Sequence, residues 1–241
     1  MRGFLVIVYG LVTIGLVSSS LGARLPKGLT SSELDTLIHI LGTGNVTKVM
    51  RSAEAYPQFP GIKLSLETTL VPSANLNTLG NSSASLPILI PSPRLTLTKG
   101  LGMNFEAAIN FSTPELLQTI ATLGVLAKWT LLNESDTFAS SAIFGSYTRL
   151  NGFNNTFTGN DFEVGFLSSK DFVRLKPYLG MGLILASATV AKSISPIAQS
   201  GTALTPHLFL GAEIELPMTI ALQLDFTDWL PSGSFSLGYR F

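Results

Sequence analysis

A chain of 241 residues that is 46% hydrophobic and only 12% charged, with zero formal net charge and no cysteine, has room for one barrel or sandwich domain rather than two independent cores. An ordinary soluble domain carries about a quarter charged residues, so at a mean hydropathy of +0.40 something other than water must face much of this surface. Zero net charge excludes the basic field that would recommend nucleic acid as a partner, and the missing cysteines exclude disulfides, thiolate catalysis and cysteine metal sites.

The chain opens with Arg2, the apolar run Phe4 to Val17 and the small-residue stretch Ser18 to Ala23. That order of positive, apolar and small predicts a cleaved secretory signal peptide over 1–23, because the run is too short for a permanent anchor. Elsewhere no window supplies the ~18 to 20 apolar residues a spanning helix needs. An apolar chain without spanning helices points to strands, which cross with about ten residues each.

Residues 24–60 form a segment apart, expected to be helical and either periplasmic or a plug, on or inside the periplasmic end of the fold. Leu34, Leu37, Ile38 and Leu41 share one helical face, and Thr30 with Glu33 makes a capping box. Gly42-Thr43-Gly44 breaks that helix, and Asn45 is placed to cap a second short one carrying Val46, Val49, Met50 and Ala53. Tyr56-Pro57-Gln58-Phe59-Pro60-Gly61 then ends helical structure.

From residue 61 to 241 the apolar period changes from 3.6 to 2, the mark of half-buried strands. Ile62, Leu64 and Leu66 alternate with Lys63, Ser65 and Glu67; Leu95 and Leu97 with Arg94 and Thr96; Phe105, Ile109 and Phe111 with Glu106 and Asn110. The alternation returns around Lys128, in Phe138 to Arg149, around Asp161 and Glu163, from Arg174 to Leu185, in Leu208 to Leu216, in Met218 to Phe226 and in Ser234 to Phe241. His207 is read as the start of its strand at the outer end, and Gly180 and Gly182 as positions that relieve crowding in a curved wall. This predicts an all-β, antiparallel up-and-down barrel of about ten strands, the even number that bacterial barrels use. The connections are expected to alternate: long or medium at 72–93, 112–122, 151–158, 189–202 and 228–233, short near Gly102, at 133–136, at 168–173 and at Pro217. Sorting of loops to one rim is a membrane-barrel habit.

The chain closes on Ser234-Phe235-Ser236-Leu237-Gly238-Tyr239-Arg240-Phe241, bulky residues two apart up to a terminal aromatic. This resembles the last strand of bacterial outer-membrane β-barrel proteins, with Ser236 standing where that pattern usually has glycine. The resemblance implies an address in the outer membrane of a Gram-negative-type bacterium, with the surrounding lipid as environment. It also implies that periplasmic chaperones and the barrel-assembly machinery read Phe235, Leu237, Tyr239 and Phe241 during biogenesis.

In such a barrel the polar face of each strand points into the lumen, where charges must be paired or hydrated. The inward set is Lys63, Glu67, Arg94, Glu106, Lys128, Asp161, Glu163, Arg174, Lys176, Glu213, Glu215, Asp225 and Arg240. Nearly balanced signs in a barrel of this girth predict a charge-networked, mostly closed lumen, with Arg174 and Lys176 facing Glu213 and Glu215 across strands. The leading expectation is a structural or surface-interaction protein working through its outer loops, without catalysis, cofactor or metal. The alternative is a small porin or transporter in which the same charges select ions. A distant alternative is a hydrolase resembling the omptin proteases, built on a His207 and Asp225 pair across the Pro217 turn. A soluble lipocalin-like barrel would hold its apolar face inward. The Asn-x-Ser/Thr sequons at Asn45, Asn81, Asn110, Asn133 and Asn154 are expected to be chance.

Overall fold

The computed structural model describes residues 24–81, 86–112, 120–135, 137–197, 199–228 and 230–241; the expected signal peptide lies outside them. Alternating residues build β1 (Ile62–Pro72), β2 (Leu89–Gly102), β3 (Phe105–Ser112), β4 (Ile120–Leu132), β5 (Ser140–Gly152), β6 (Phe157–Ser169), β7 (Leu175–Val190), β8 (Ser200–Glu215), β9 (Thr219–Thr227) and β10 (Leu230–Arg240). Each pairs antiparallel with its neighbour in sequence, and β1 pairs with β10 from Lys63 opposite Arg240 to Leu70 opposite Gly233, closing the barrel. Closure leaves no unpaired edge among the strands, the condition for a sheet to sit in hydrocarbon.

The period-2 pattern sorts the two faces. Outward stand Leu95, Leu97, Val125, Trp129, Val164, Leu183 and Leu224, each at least about a third exposed, with Trp129 at 47%. A continuous apolar surface of that kind far exceeds the few hundred Å² that a soluble monomer leaves open. Phe105 opposite Trp129, and Tyr239 edge-on to Phe241 at 5.0 Å between ring centres, place aromatics at the rim where β1 begins and β10 ends. Apolar exterior, polar interior and an aromatic girdle make this a transmembrane barrel of the outer-membrane type.

That rim, with Ile62 and Arg240, is called the terminal rim and the opposite one the loop rim. Long connections 73–88 and 191–199 lie at the loop rim, as expected. The sorting is weaker than the sequence suggested, because β5 and β6 pair out to Gly152 opposite Phe157 and β9 and β10 to Thr227 opposite Leu230. Those loop-rim connections are tight, whereas 133–139 at the terminal rim is longer than expected. There the Lys170 ammonium and the Asp171 N–H both bond Glu134, holding its carboxyl below the usual range.

Two strands begin earlier than proline suggested. Pro91 and Pro93 lie within β2, and Pro206 lies within β8 opposite Leu183, its ring outward. His207 is therefore in the middle of its strand and not at its start.

The largest departure concerns residues 24–60. Helix α1 (Ser31–Ile38) forms with the expected box, Thr30 N–H donating to Glu33 Oε2 at 2.8 Å and Glu33 N–H to Thr30 Oγ1 at 3.4 Å. It continues as a π-helical turn, His39–Thr43. The element packs inside the barrel at the loop rim, with Leu34, Leu37, Ile38 and Leu41 against Val71, Leu76, Ile90, Leu150, Phe157 and Val190. It thus fills the barrel end from which the connections 73–88 and 191–199 leave. The second helix does not form: Asn45 Nδ2 bonds back to Leu41 O at 2.7 Å, and residues 47–50 run on without helical structure.

Candidate functional site

Inside a barrel an extended segment has no strand beside it to pair its backbone, yet buried N–H and C=O groups must find partners. Here the wall supplies them. Arg94 donates to Asn45 O at 2.7 Å and Val46 O at 2.9 Å, and Thr47 N–H donates to Thr148 Oγ1 at 2.9 Å. Further along, Ser52 N–H reaches Glu213 Oε2 at 3.0 Å and Ala53 N–H reaches Ser169 Oγ at 2.9 Å. Lys128 Nζ donates to Ser52 O at 2.6 Å and Glu54 O at 2.8 Å, and Thr130 Oγ1 to Ala53 O at 2.7 Å. Finally Lys99 Nζ clasps Gln58 O and Pro60 O at the terminal rim, before the chain turns through Gly61 into β1. The segment thus runs through the lumen from the loop rim to the terminal rim.

Its side chains complete the charges of the wall. Lys48, Arg51 and Glu54 recur every third residue, and each meets an opposite charge: Lys48 Nζ lies 3.5 Å from Asp225 Oδ1, Arg51 Nη1 3.0 Å from Glu106 Oε1, and Lys176 Nζ 2.5 Å from Glu54 Oε2. Glu106 also holds Lys128 at 3.3 Å. Glu213 gathers Lys63 at 3.1 Å and Arg240 at 3.2 Å, while Lys176 and Arg240 share Glu215 at 3.3 and 2.6 Å. Most of these groups are buried, so each partner offsets a desolvation penalty of several kcal/mol that a lone ion would carry.

At mid-height His207 stands between two carboxylates, Nδ1 at 2.5 Å from Glu163 Oε1 and Nε2 at 2.9 Å from Asp225 Oδ1. Two acceptors on one ring require a proton on each nitrogen for both contacts to be hydrogen bonds. Gln223 Nε2 and Ser234 Oγ also donate to Asp225, at 2.7 and 3.3 Å, and Tyr178 OH donates to Gln223 Oε1 at 3.0 Å. Phe209 packs edge-on to Phe144 and Tyr178 beneath them. A Cβ at Gly180 would collide with the Phe209 ring, so this glycine does relieve crowding.

Of the inward residues read from strand parity, the structure brings Lys63, Glu106, Lys128, Glu163, Lys176, Glu213, Glu215, Asp225 and Arg240 into ion pairs or hydrogen bonds with one another or with the segment. Arg94 works on the segment backbone, opposite Glu67, which accepts from Ser65 Oγ at 3.1 Å. Asp161 is buried, but no hydrogen bond from a described residue reaches its oxygens; Arg94 and Lys48 are the cations in its surroundings. Arg174 is a correction. It is exposed in the 170–174 connection, one residue before β7; its carbonyl accepts from Glu215 N–H at 2.8 Å, but its guanidinium makes no ion pair with Glu213 or Glu215.

The His207 and Asp225 pair exists, but at 2% and 0% exposure and away from either rim. Sequence reasoning missed Lys48, Arg51 and Glu54, whose spacing of three was the available signal. Asn45 and Asn110 are fully buried, Asn110 donating to Thr47 Oγ1 at 3.0 Å, so the folded protein offers neither sequon to a glycosyl donor.

No family model matches the chain, and no curated protein matches it. Among solved structures it is similar to Neisserial surface protein A, at 14% identity over 73% of this chain and 94% of that one, TM-score 0.32. It is also similar to the translocator domain of autotransporter NalP from Neisseria meningitidis, at 9% identity over 87% and 95%, TM-score 0.37. The attachment invasion locus protein of Yersinia pestis matches at 12% over 75% and 96%, TM-score 0.25. These superpositions are loose, and the barrel's own construction carries the assignment: an even-stranded, closed, lipid-facing barrel belongs in the outer membrane of a Gram-negative-type bacterium.

Proposed function

We propose that the protein is a self-plugged outer-membrane barrel with a structural or surface-interaction role, working through what it presents at the loop rim and not through a pore. The observation that carries this reading is the double use of the lumen wall. Wall side chains bond the N–H and C=O groups of residues 45–60 and pair the charges of Lys48, Arg51 and Glu54. A bore so occupied passes no steady ion current. The same burial argues against hydrolysis at His207, which no substrate reaches while the segment is in place.

Planar-bilayer recording on refolded protein tests the reading. The full mature chain is expected to give no steady conductance, and a variant lacking residues 24–56 to give stable open-channel current of charge-selective character. Steady current from the full chain would defeat the proposal and favour a small channel.

Biogenesis supplies a second expectation. Tyr239 and Phe241 are 43% and 60% exposed on the lipid side of the terminal rim, where periplasmic chaperones and the barrel-assembly machinery would engage a last strand. Phe241→Ala is expected to lower the amount of heat-modifiable barrel in outer-membrane fractions several-fold with unchanged synthesis. Equal amounts of folded barrel would remove the C-terminal strand from that role.

A further inference from the structure

The direction of the lumen segment carries a topological consequence. Leu29 N–H donates to Ile194 O at 3.0 Å, Ser195 Oγ donates to Leu29 O at 3.0 Å, and Asn81 N–H donates to Lys27 O at 2.8 Å. Gly80 N–H donates to Glu33 Oε1 at 3.0 Å, and this bond with those from Thr30 holds the Glu33 carboxyl below its usual range. Residues 27–33 are thus bonded to the connections 73–88 and 191–199, at the loop rim. Residues 58–60 are bonded to Lys99 at the terminal rim. In outer-membrane barrels the longer loops face the exterior and the tight turns the periplasm.

We infer that this barrel is a one-strand conduit for its own chain: residues 44–60 cross the membrane outward through the lumen, and the flank at Arg24 to Lys27 is displayed on the cell surface while Phe241 stays periplasmic.

Local geometry explains how the threaded state is held. An α-helix is about 10 Å across with its side chains, and α1 with its π turn fills the loop-rim end of the lumen. The chain lies tight against the wall at Gly42, within that turn, and at Gly44 just after it, where a Cβ would lie 2.9 Å from Ala186 Cβ and 2.5 Å from Val71 Cγ1. At mid-height Gly124 leaves room for Thr47 against the wall. Residues 47–60 form no helix and are bonded to the wall along their length, so α1, wider than a single chain, acts as a stopper against withdrawal towards the periplasm. Its apolar face, with Leu34, Leu37 and Leu41 fully buried, holds it in the rim.

The inference rests on the outer-membrane orientation but not on ion tightness, so labelling and conductance fail separately. Because the chain has no cysteine, each introduced thiol is a unique reporter. Lys27→Cys and, as a second variant, Arg24→Cys are exposed to a membrane-impermeant maleimide, with Asn75→Cys in the 73–88 connection as the outer reference and Gln58→Cys as the periplasmic one. The expected result is labelling of Lys27→Cys, Arg24→Cys and Asn75→Cys on intact cells to the level reached after lysis, with Gln58→Cys labelled only once the outer membrane is permeabilised. Labelling of Asn75→Cys alone on intact cells overturns the threading. Labelling of Gln58→Cys on intact cells, with or without the others, overturns the orientation or the crossing.

Discussion

Asp225→Ala is expected to lower the stability of the barrel by about 3–5 kcal/mol, the cost of breaking a buried ion pair on one side only. The carboxylate is fully buried, receives hydrogen bonds from His207, Gln223 and Ser234, and is the salt-bridge partner of Lys48. Among the described residues Lys48 Nζ makes no hydrogen bond, so removing Asp225 takes away its salt-bridge partner and leaves that ammonium inside the lumen with only the more distant Asp161, which it shares with Arg94. His207 keeps Glu163, so the loss falls first on the lumen segment. With a denaturant slope on the order of 1–3 kcal/mol per molar urea, the midpoint read from unheated gel mobility falls by roughly 1–5 M. The second arm separates charge from packing: Lys48→Met in the Asp225→Ala background is expected to restore most of the loss, because removing both members of a buried pair is far less costly than removing one. A loss under about 1 kcal/mol in Asp225→Ala, or no recovery in the double variant, would show that the pair does not hold the segment.

Gly124→Val is expected to dislodge the lumen segment while leaving the barrel wall paired. Gly124 lies opposite Asn110 on the inner face, and a Cβ there would collide with Thr47 Oγ1 and lie 2.7 Å from Asn110 Oδ1. Both ends of the buried Asn110 amide would crowd the new side chain, and Thr47 must give up its two bonds to Thr148, at 2.9 Å from its N–H and 2.7 Å between hydroxyls. Overpacking of this kind costs about 1–3 kcal/mol. The functional readout is larger than the thermodynamic one, because a segment displaced at mid-height opens a water path between Arg94 and Lys128. Intermittent current in planar bilayers is the expected signature, with Thr47→Gly in the same chain suppressing it by returning the space. A silent Gly124→Val variant with native stability would mean that the segment yields without leaving the wall.

Strand period, strand number and inward parity were legible because each is local. Side chains two apart on one strand share a face whatever the strand pairs with, so Lys63, Glu106, Lys128 and Asp225 could be assigned to the lumen one strand at a time. Arg174 fell outside because parity says nothing about where a strand starts, and β7 begins one residue later. Proline misled in the other direction: Pro206 occupies an outward position within β8, so His207 belongs at mid-strand.

Residues 45–60 were the part that local reading could not place. Val46, Val49, Met50 and Ala53 carry a spacing of three to four that fits one face of a helix, but it equally fits an extended chain buried on every side. Their partners decide between the two, and those partners are far away in sequence: Thr148 lies 101 residues from Thr47, and Glu213 lies 161 from Ser52. The sequence by itself determined a barrel with its ionic residues inward, since alternation against lipid leaves no other face for them. Only the closed barrel decided what fills the bore and in which direction it runs, because the lumen exists only once β1 meets β10 and the wall's charges converge on a common axis.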